Sequence, residues 1–315
     1  MKSRASAPGK VILFGEHFVV YGVKAILCAI DKRVTVTAEE STKNTISIKS
    51  NIGKLELPTN KSIKEIDSPL KPLYYLAGKL IQKHNKKTGM SITVESEIPS
   101  GVGLGSSSAC CVAGAAAISR LFEDASKEQI LELAIEAEKT IFQNTSGADC
   151  TVCTFGGLME YSKETGFSKI DAESNFHLVI ANSKTEHSTE QVVSKVRKVR
   201  DSDEEHFSNL CKKESEIIGN VMKYLKNNDL KELGKLMHTN QELLESIGIS
   251  NETIRQMIDT AEIKAHGAKI TGAGGGGCII ALTDESNLDE TISQLSGKNY
   301  ECFSAKIDHE GLDTF

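Results

Sequence analysis

The chain has 315 residues, of which 39% are hydrophobic and 25% charged, and it carries a formal net charge of −6. That balance fits a globular fold of about two domains, and the acidic total argues against a general nucleic-acid binder, which would show a basic face. No apolar run approaches the roughly 20 residues that span a bilayer. The apolar residues 11–14 are interrupted by Gly15, Glu16 and His17, so neither a membrane span nor a signal peptide is expected, and the cytoplasm is the expected location.

In chain order, Lys10 follows Pro8 and Gly9 at the entrance to an apolar strand, and residues 33–39 alternate as a half-buried strand. Residues 72–84 carry Leu73, Leu76, Ala77, Leu80 and Ile81 on one helical stripe. Residues 91–98 alternate as a strand, residues 99–109 form a Gly-Ser segment, and an Ala-rich apolar run to Leu121 suits a buried helix. A further helix is predicted over 127–142, striped by Ile130, Leu133, Ala134, Ala137 and Ile141. Residues 176–181 read as a strand opening the second half, followed by helices around 189–200, 206–227, 229–246 and 251–265. A glycine-dense loop then runs into a strand within 268–282, and a last strand fits 299–307. Strands mixed with clustered helices indicate an α+β fold. The polar stretch 163–175 is the best boundary, dividing the chain into residues 1–168 and 169–315.

Three segments carry chemistry. The first is Pro99-Ser-Gly-Val-Gly-Leu-Gly-Ser-Ser-Ser-Ala109. A glycine-rich loop between a strand and a helix N-terminus offers free backbone N–H groups and the positive end of the helix dipole, which is an anion site. Lacking Gly-Lys-Ser/Thr, it is not a Walker loop, and its glycine spacing is not the dinucleotide fingerprint. A plain flexible turn is the competing reading. The second segment is residues 7–22 and the third is residues 269–278, whose run Gly272–Gly277 is too glycine-dense for a core strand.

On the helix at 127–142, Glu128, Glu132 and Glu136 point away from the apolar stripe, whereas Glu138 borders it. A carboxylate held beside the interior wants a cation, either a metal or a flanking Lys. Eight cysteines are scattered without a disulfide framework, so reduced thiols are expected. Cys150 and Cys153 have metal or redox spacing, but with no second pair nearby they read as small buried apolar residues.

Taken together and in order, these three segments resemble the signature motifs of the galactokinase, homoserine kinase, mevalonate kinase and phosphomevalonate kinase superfamily. Within it, Gly-Glu-His-Phe-Val-Val-Tyr-Gly (15–22) looks like the mevalonate kinase family, as does Ser146-Gly147-Ala148-Asp149 followed by Phe155-Gly156-Gly157. The resemblance implies an N-terminal half like ribosomal protein S5, a ferredoxin-like C-terminal half, and an active site between them. It implies ATP and Mg²⁺ as cofactors, mevalonate as the acceptor, no nucleic-acid or membrane partner and, by analogy alone, a homodimer.

By the same resemblance, Pro99, Gly101, Gly103, Leu104, Gly105, Ser106, Ser107 and Ser108 hold the nucleotide phosphates. Ser107 and Glu138 ligate the metal. Asp149 takes the proton of the acceptor hydroxyl, with Lys10 against it. Glu16, His17, Asp149, Thr189, Arg197, Gly272 and Ala273 shape the acceptor pocket. Arg197 lies two helical turns beyond Thr189, where a guanidinium could pair with a substrate carboxylate. Two departures stand out: Cys110 where the family often has Tyr, and Gln143-Asn-Thr145 where Gly-Asn-Pro is more frequent. Other kinases of the superfamily, and a nucleotide-binding regulator that has lost catalysis, remain the alternatives at this stage. The presence of Lys10, Ser107, Glu138 and Asp149 together disfavours the regulator.

Overall fold

The computed structural model describes residues 1–99, 101–172, 175–185 and 188–315. Among these residues the chain builds two sheets. The first contains β1 (Lys2–Phe14), β2 (Ala25–Ser41), β3 (Thr45–Ser50), β4 (Gly53–Pro58), β5 (Gly89–Ser96), β6 (Leu158–Ser162), β7 (Gly166–Ile170) and β12 (Asp313–Thr314). Its order is β12-β1-β2-β5-β3-β4, with β6 joined to β2 and β7 to β6. The second is an antiparallel sheet of β8 (His177–Asn182), β9 (Gly267–Ile270), β10 (Cys278–Thr283) and β11 (Glu301–Ala305), in the order β11-β8-β10-β9.

The β1–β2 ladder positions half of the site. Pro8 cannot donate to a ladder, and the pairing shifts register between Pro8 and Gly9. Lys10 follows that shift, paired with Ala29. The sequence places Lys10 at the entrance to a strand, but the strand already begins at Lys2 and Lys10 lies well inside it. Residues 2–9 alternate too weakly in hydrophobicity to announce this.

Four helices attend the first sheet: α1 (Lys71–Lys83), α2 (Ser106–Ser119), α3 (Lys127–Glu138) and α4 (Ala148–Phe155). From Ser108 onward nearly all of α2 is buried, as expected for a helix apolar on every side. Gly114 lets α1 approach, since a Cβ there would lie 2.2 Å from Leu73 Cδ2. A capping box of Ser126 and Gln129 starts α3. That helix ends at Glu138, four residues short of the apolar pattern.

Five helices build the second half: α5 (Thr189–Ser202), α6 (Glu204–Lys226), α7 (Leu230–Ser246), α8 (Glu252–Glu262) and α9 (Leu288–Gly297). Asp or Asn side chains cap α6, α7 and α8. α7 lies hard against the strand end at β9, because Gly234 leaves no room for a Cβ beside the His266 carbonyl.

The first sheet runs through Ile170, so a division at 168/169 falls inside β7. The chain end then returns to that sheet: Ile307 bridges Ile30, and Thr314 pairs with Ala5. Arg33 fastens this return by bonding Asp308 and, at 2.6 Å, the Gly311 carbonyl. The α+β architecture holds, but its first half is assembled from both ends of the sequence. No helix among the described residues is long and apolar enough to cross a membrane.

Candidate active site

The glycine loop leads directly into α2. Gly101, Gly103 and Gly105 all have left-handed φ, between 75° and 82°. Gly105 is the cap of α2, and among the described residues no side chain caps that helix end. The constraint at Gly105 is twofold: its φ suits glycine, and a Cβ would sit 2.7 Å from Lys10 Cγ. The loop therefore rests on Lys10, whose backbone N–H also donates to the Leu104 carbonyl at 2.9 Å. Ser106 and Ser107 are half-exposed at the helix start, whereas Ser108 is buried. Pro99 and Leu104 flank the loop, and Leu104 sits in the core.

Lys10 and Asp149 meet at 3.1 Å; the lysine side chain is 6% exposed and the carboxylate 36%. Asp149 stands in the first turn of α4, behind Gly147 in a left-handed cap. The eight-residue α4 escapes a periodicity reading because it is short, small-residued and bounded by glycines. Its packing is tight: a Cβ on Gly147 would lie 2.6 Å from Ile135 Cδ1 of α3.

Glu138 is buried, and among the described residues it forms no salt bridge. Its two oxygens accept from the hydroxyls of Ser108 and Thr145. The serine that reaches Glu138 is thus Ser108, while Ser107, one residue earlier, is half-exposed. Thr145 is one of the departures from the family pattern, and it supplies a hydroxyl that a proline there could not. A buried carboxylate met only by hydroxyls, beside a free helix start, is a set of hard oxygen donors that fits Mg²⁺.

The second half contributes the loop after β9. Thr271 Oγ1 accepts from the Ile12 N–H at 3.1 Å and donates to the Ile12 carbonyl at 3.0 Å, stitching that loop to β1. His17, at a left-handed φ of 61°, hydrogen-bonds the Ala273 carbonyl through Nε2 at 2.7 Å. A carbonyl only accepts, so the proton sits on Nε2. Burial holds the His17 pKa below its ordinary value, so Nδ1 is left as an acceptor. Gly272 and Ala273 are half-buried beside it. Glu16 is fully buried and pairs with Lys269, which is likewise 0% exposed. Burial pushes the Glu16 carboxyl up and the Lys269 ammonium down, each opposed by the partner's charge.

Thr189 and Arg197 stand apart. Both lie on α5 and are exposed, and neither forms a hydrogen bond or ion pair with Lys10, Asp149, Glu16 or His17 among the described residues. Three residues of the buried cluster escape the sequence reading: Lys269, Glu214 and Asn240. Glu214 does carry a signal, since it falls in register with Phe207, Leu210, Ile217 and Val221 on the apolar stripe of α6. Cys150 and Cys153 are buried free thiols, held well above the ordinary cysteine range by burial.

A glycine loop opening a helix, a lysine–carboxylate pair and a hydroxyl-lined carboxylate, facing a loop from a second half, are the parts of a small-molecule kinase. Residues 72–157 match the GHMP kinases N terminal domain, and residues 221–302 the GHMP kinases C terminal family. The chain is 33% identical to the mevalonate kinase of Aeropyrum pernix, over 98% of this chain and 97% of that protein. It is 34% identical to the mevalonate kinase of Thermococcus sibiricus, over 99% and 98%. It also superposes on the crystal structure of the Methanococcus jannaschii mevalonate kinase with a TM-score of 0.86, at 30% identity over 97% and 98% of the two chains. The chain belongs to the mevalonate kinase family.

Proposed function

We infer that this chain transfers the γ-phosphoryl group of ATP to the hydroxyl of (R)-mevalonate, giving ADP and 5-phosphomevalonate. The observation that carries the chemistry is the Lys10–Asp149 pair, whose lysine packs against the glycine loop. Phosphoryl transfer asks a protein for positioning and charge stabilisation more than for covalent chemistry. The helix start at Ser106–Ser108 presents unpaired N–H groups to the phosphates. Ser107 and Glu138 would hold Mg²⁺, with Ser108 and Thr145 keeping Glu138 in place. When bound, the ion would neutralise charge developing on the phosphates.

Asp149 is exposed enough to reach the acceptor, orients its hydroxyl and receives its proton. Lys10 lies alongside and balances charge as the oxygen becomes nucleophilic. His17 Nδ1 accepts from a substrate hydroxyl, and Gly272 and Ala273 form the adjoining wall. Thr189 and Arg197 would act from α5, with Arg197 taking the acceptor carboxylate from the solvent side. The free cysteines suit a cytoplasmic setting.

The test is Mg²⁺-dependent ADP release over a panel of acceptors. Mevalonate should turn over far faster than homoserine, galactose or phosphomevalonate, and equal or better turnover of any of those three overturns the reading. Glu138→Gln should raise the Mg²⁺ requirement. An unchanged Mg²⁺ titration would remove Glu138 from the metal site. Sedimentation velocity decides between a monomer and the homodimer that analogy suggests.

A further inference from the structure

Glu214 has no part in the chemistry above, yet it is 0% exposed. It occupies a core position of α6, on the same stripe as Phe207. Phe207 packs edge-on against Tyr21 at 4.8 Å between ring centroids and lies 6.0 Å from Phe18. The same helix face therefore clamps the short turn that follows Glu16 and His17. At Glu214, Oε2 accepts from Asn240 Nδ2 of α7 at 2.5 Å, and the carboxylate also faces the Gly15 backbone N–H.

Two independent counts point to a proton in this cluster. The first is of hydrogen bonds. Among the described residues, Glu16 Oε2, Glu214 Oε1 and Asn240 Oδ1 are buried acceptors without a hydrogen-bond partner. A native interior leaves few such groups, and a proton on Glu214 would turn one of these three acceptors into a donor. The second is of charge. Lys269 is the cation paired within the cluster, while Lys10 is committed to Asp149. Glu16 and Glu214 both ionised would leave an uncompensated buried negative charge.

We propose that Glu214 is a positioning residue for the acceptor pocket: as a neutral acid, it holds from inside the second half the turn Gly15–His17 that presents His17. The proposal rests on the acceptor-pocket reading given above. Burial, reinforced by the charge of Glu16, pushes the Glu214 carboxyl up to about 7, which suits a group that is protonated through the acid and neutral range. The groups facing it are Glu16 and the Gly15 N–H from the first half, Lys269 from β9, Asn240 from α7 and Cys211 on its own helix. The Cys211 thiol is itself raised by burial and by the Glu214 charge, so it is not a competing base. Above neutrality Glu214 ionises, repels Glu16, competes for Lys269 and loosens the turn. His17 cannot be the source of that transition, because its pKa is lowered and it is already neutral there.

The experiment measures kcat and KM for mevalonate and for ATP from pH 6 to 9 in wild type, Glu214→Gln and Glu214→Ala. The mevalonate KM of wild type should be flat below neutrality and climb above it. Glu214→Gln, fixed in the neutral form, should keep a low and pH-independent KM. Glu214→Ala should lose about 10- to 100-fold in kcat/KM for mevalonate, the scale of a small misplacement remote from the chemistry, while its ATP KM stays near wild type. Variants with lowered melting temperature but unchanged mevalonate KM would show a purely structural residue and overturn the proposal. So would a Glu214→Gln enzyme that keeps the wild-type pH profile. If Glu214→Ala does not fold, the comparison of Glu214→Gln with wild type still decides. Acceptor preference is measured on wild type first. Should another acceptor be preferred, the functional reading falls, and the same profiles taken with that acceptor judge Glu214 separately.

Discussion

Two lysine–carboxylate pairs join different parts of this molecule, and water separates them in kind. Lys10 and Asp149 meet at 3.1 Å with the carboxylate 36% exposed, while Lys269 and Glu16 meet with both side chains 0% exposed. The first pair keeps one member open to a ligand, and its charge is available to a reacting group. The second is sealed and spans the two halves, so its charge can act only on shape. Charge near a reaction is useful when one side of it stays accessible. Charge in a dry interior is stable only while every partner remains, because breaking a buried pair strands an ion.

The comparison can be broken most decisively at Asp149. Asp149→Asn should lower kcat by about 10²–10⁴-fold, the contribution of a positioned base, with a smaller loss in urea unfolding than at the sealed pair because Asn still accepts from Lys10. Near-full kcat would show that alignment and phosphate neutralisation suffice. Lys269→Met should do the reverse, lowering stability by about 3–5 kcal/mol through the stranded Glu16. Adding Glu16→Leu should recover part of that loss. If Lys269→Met unfolds no more easily than Lys10→Met, the two pairs are not different in kind.

A third measurement sharpens the contrast through pH. The folded Glu214 pKa, about 7, lies above its ordinary value of 4.5. The stabilisation from its protonation is therefore complete below about pH 4.5 and is lost as pH rises through 7, by up to about 3 kcal/mol. Glu214→Gln lacks that loss, so its unfolding free energy should overtake wild type between pH 6 and 8. Parallel curves would refute it. The smallest effect is expected at Gly105→Ala, where the left-handed backbone should cost about 1–2 kcal/mol. The new methyl would press on Lys10, so kcat should fall while the sealed pair is untouched. A variant with wild-type kcat would show that the loop does not depend on Lys10.

What the sequence could and could not reveal follows the same division. The helical stripes of α1, α6 and α7 are long and periodic, and the alternating glycines before α2 announce a loop that needs left-handed φ, so both are legible. Glu138 is legible because it borders a stripe. The β3–β4 hairpin and α4 are not legible, being short and lacking a sustained period. The partnership of Ser108, rather than Ser107, with Glu138 depends on where α3 stops, which the apolar pattern overruns. Lys269 and Glu214 are charges in apolar registers. Each is visible as a conflict, but the conflict resolves only when residues 253 positions apart in sequence, Glu16 and Lys269, meet.

The return of residues 307–314 to the first sheet bears on how the molecule is made. A chain emerging from the ribosome exposes β1 first, and domains generally mature in that order. Here the outer partner of β1 is β12, and Asp308, which fastens Arg33, lies some 275 residues further along the chain. Until residues 307–314 have been synthesised, the β1 edge stays bare near Ala5 and Ser6. An unpaired strand edge of that kind is where nascent chains are most open to misassociation. Chains stalled before residue 307 should therefore depend on chaperones to a degree that chains carrying residues 307–314 do not.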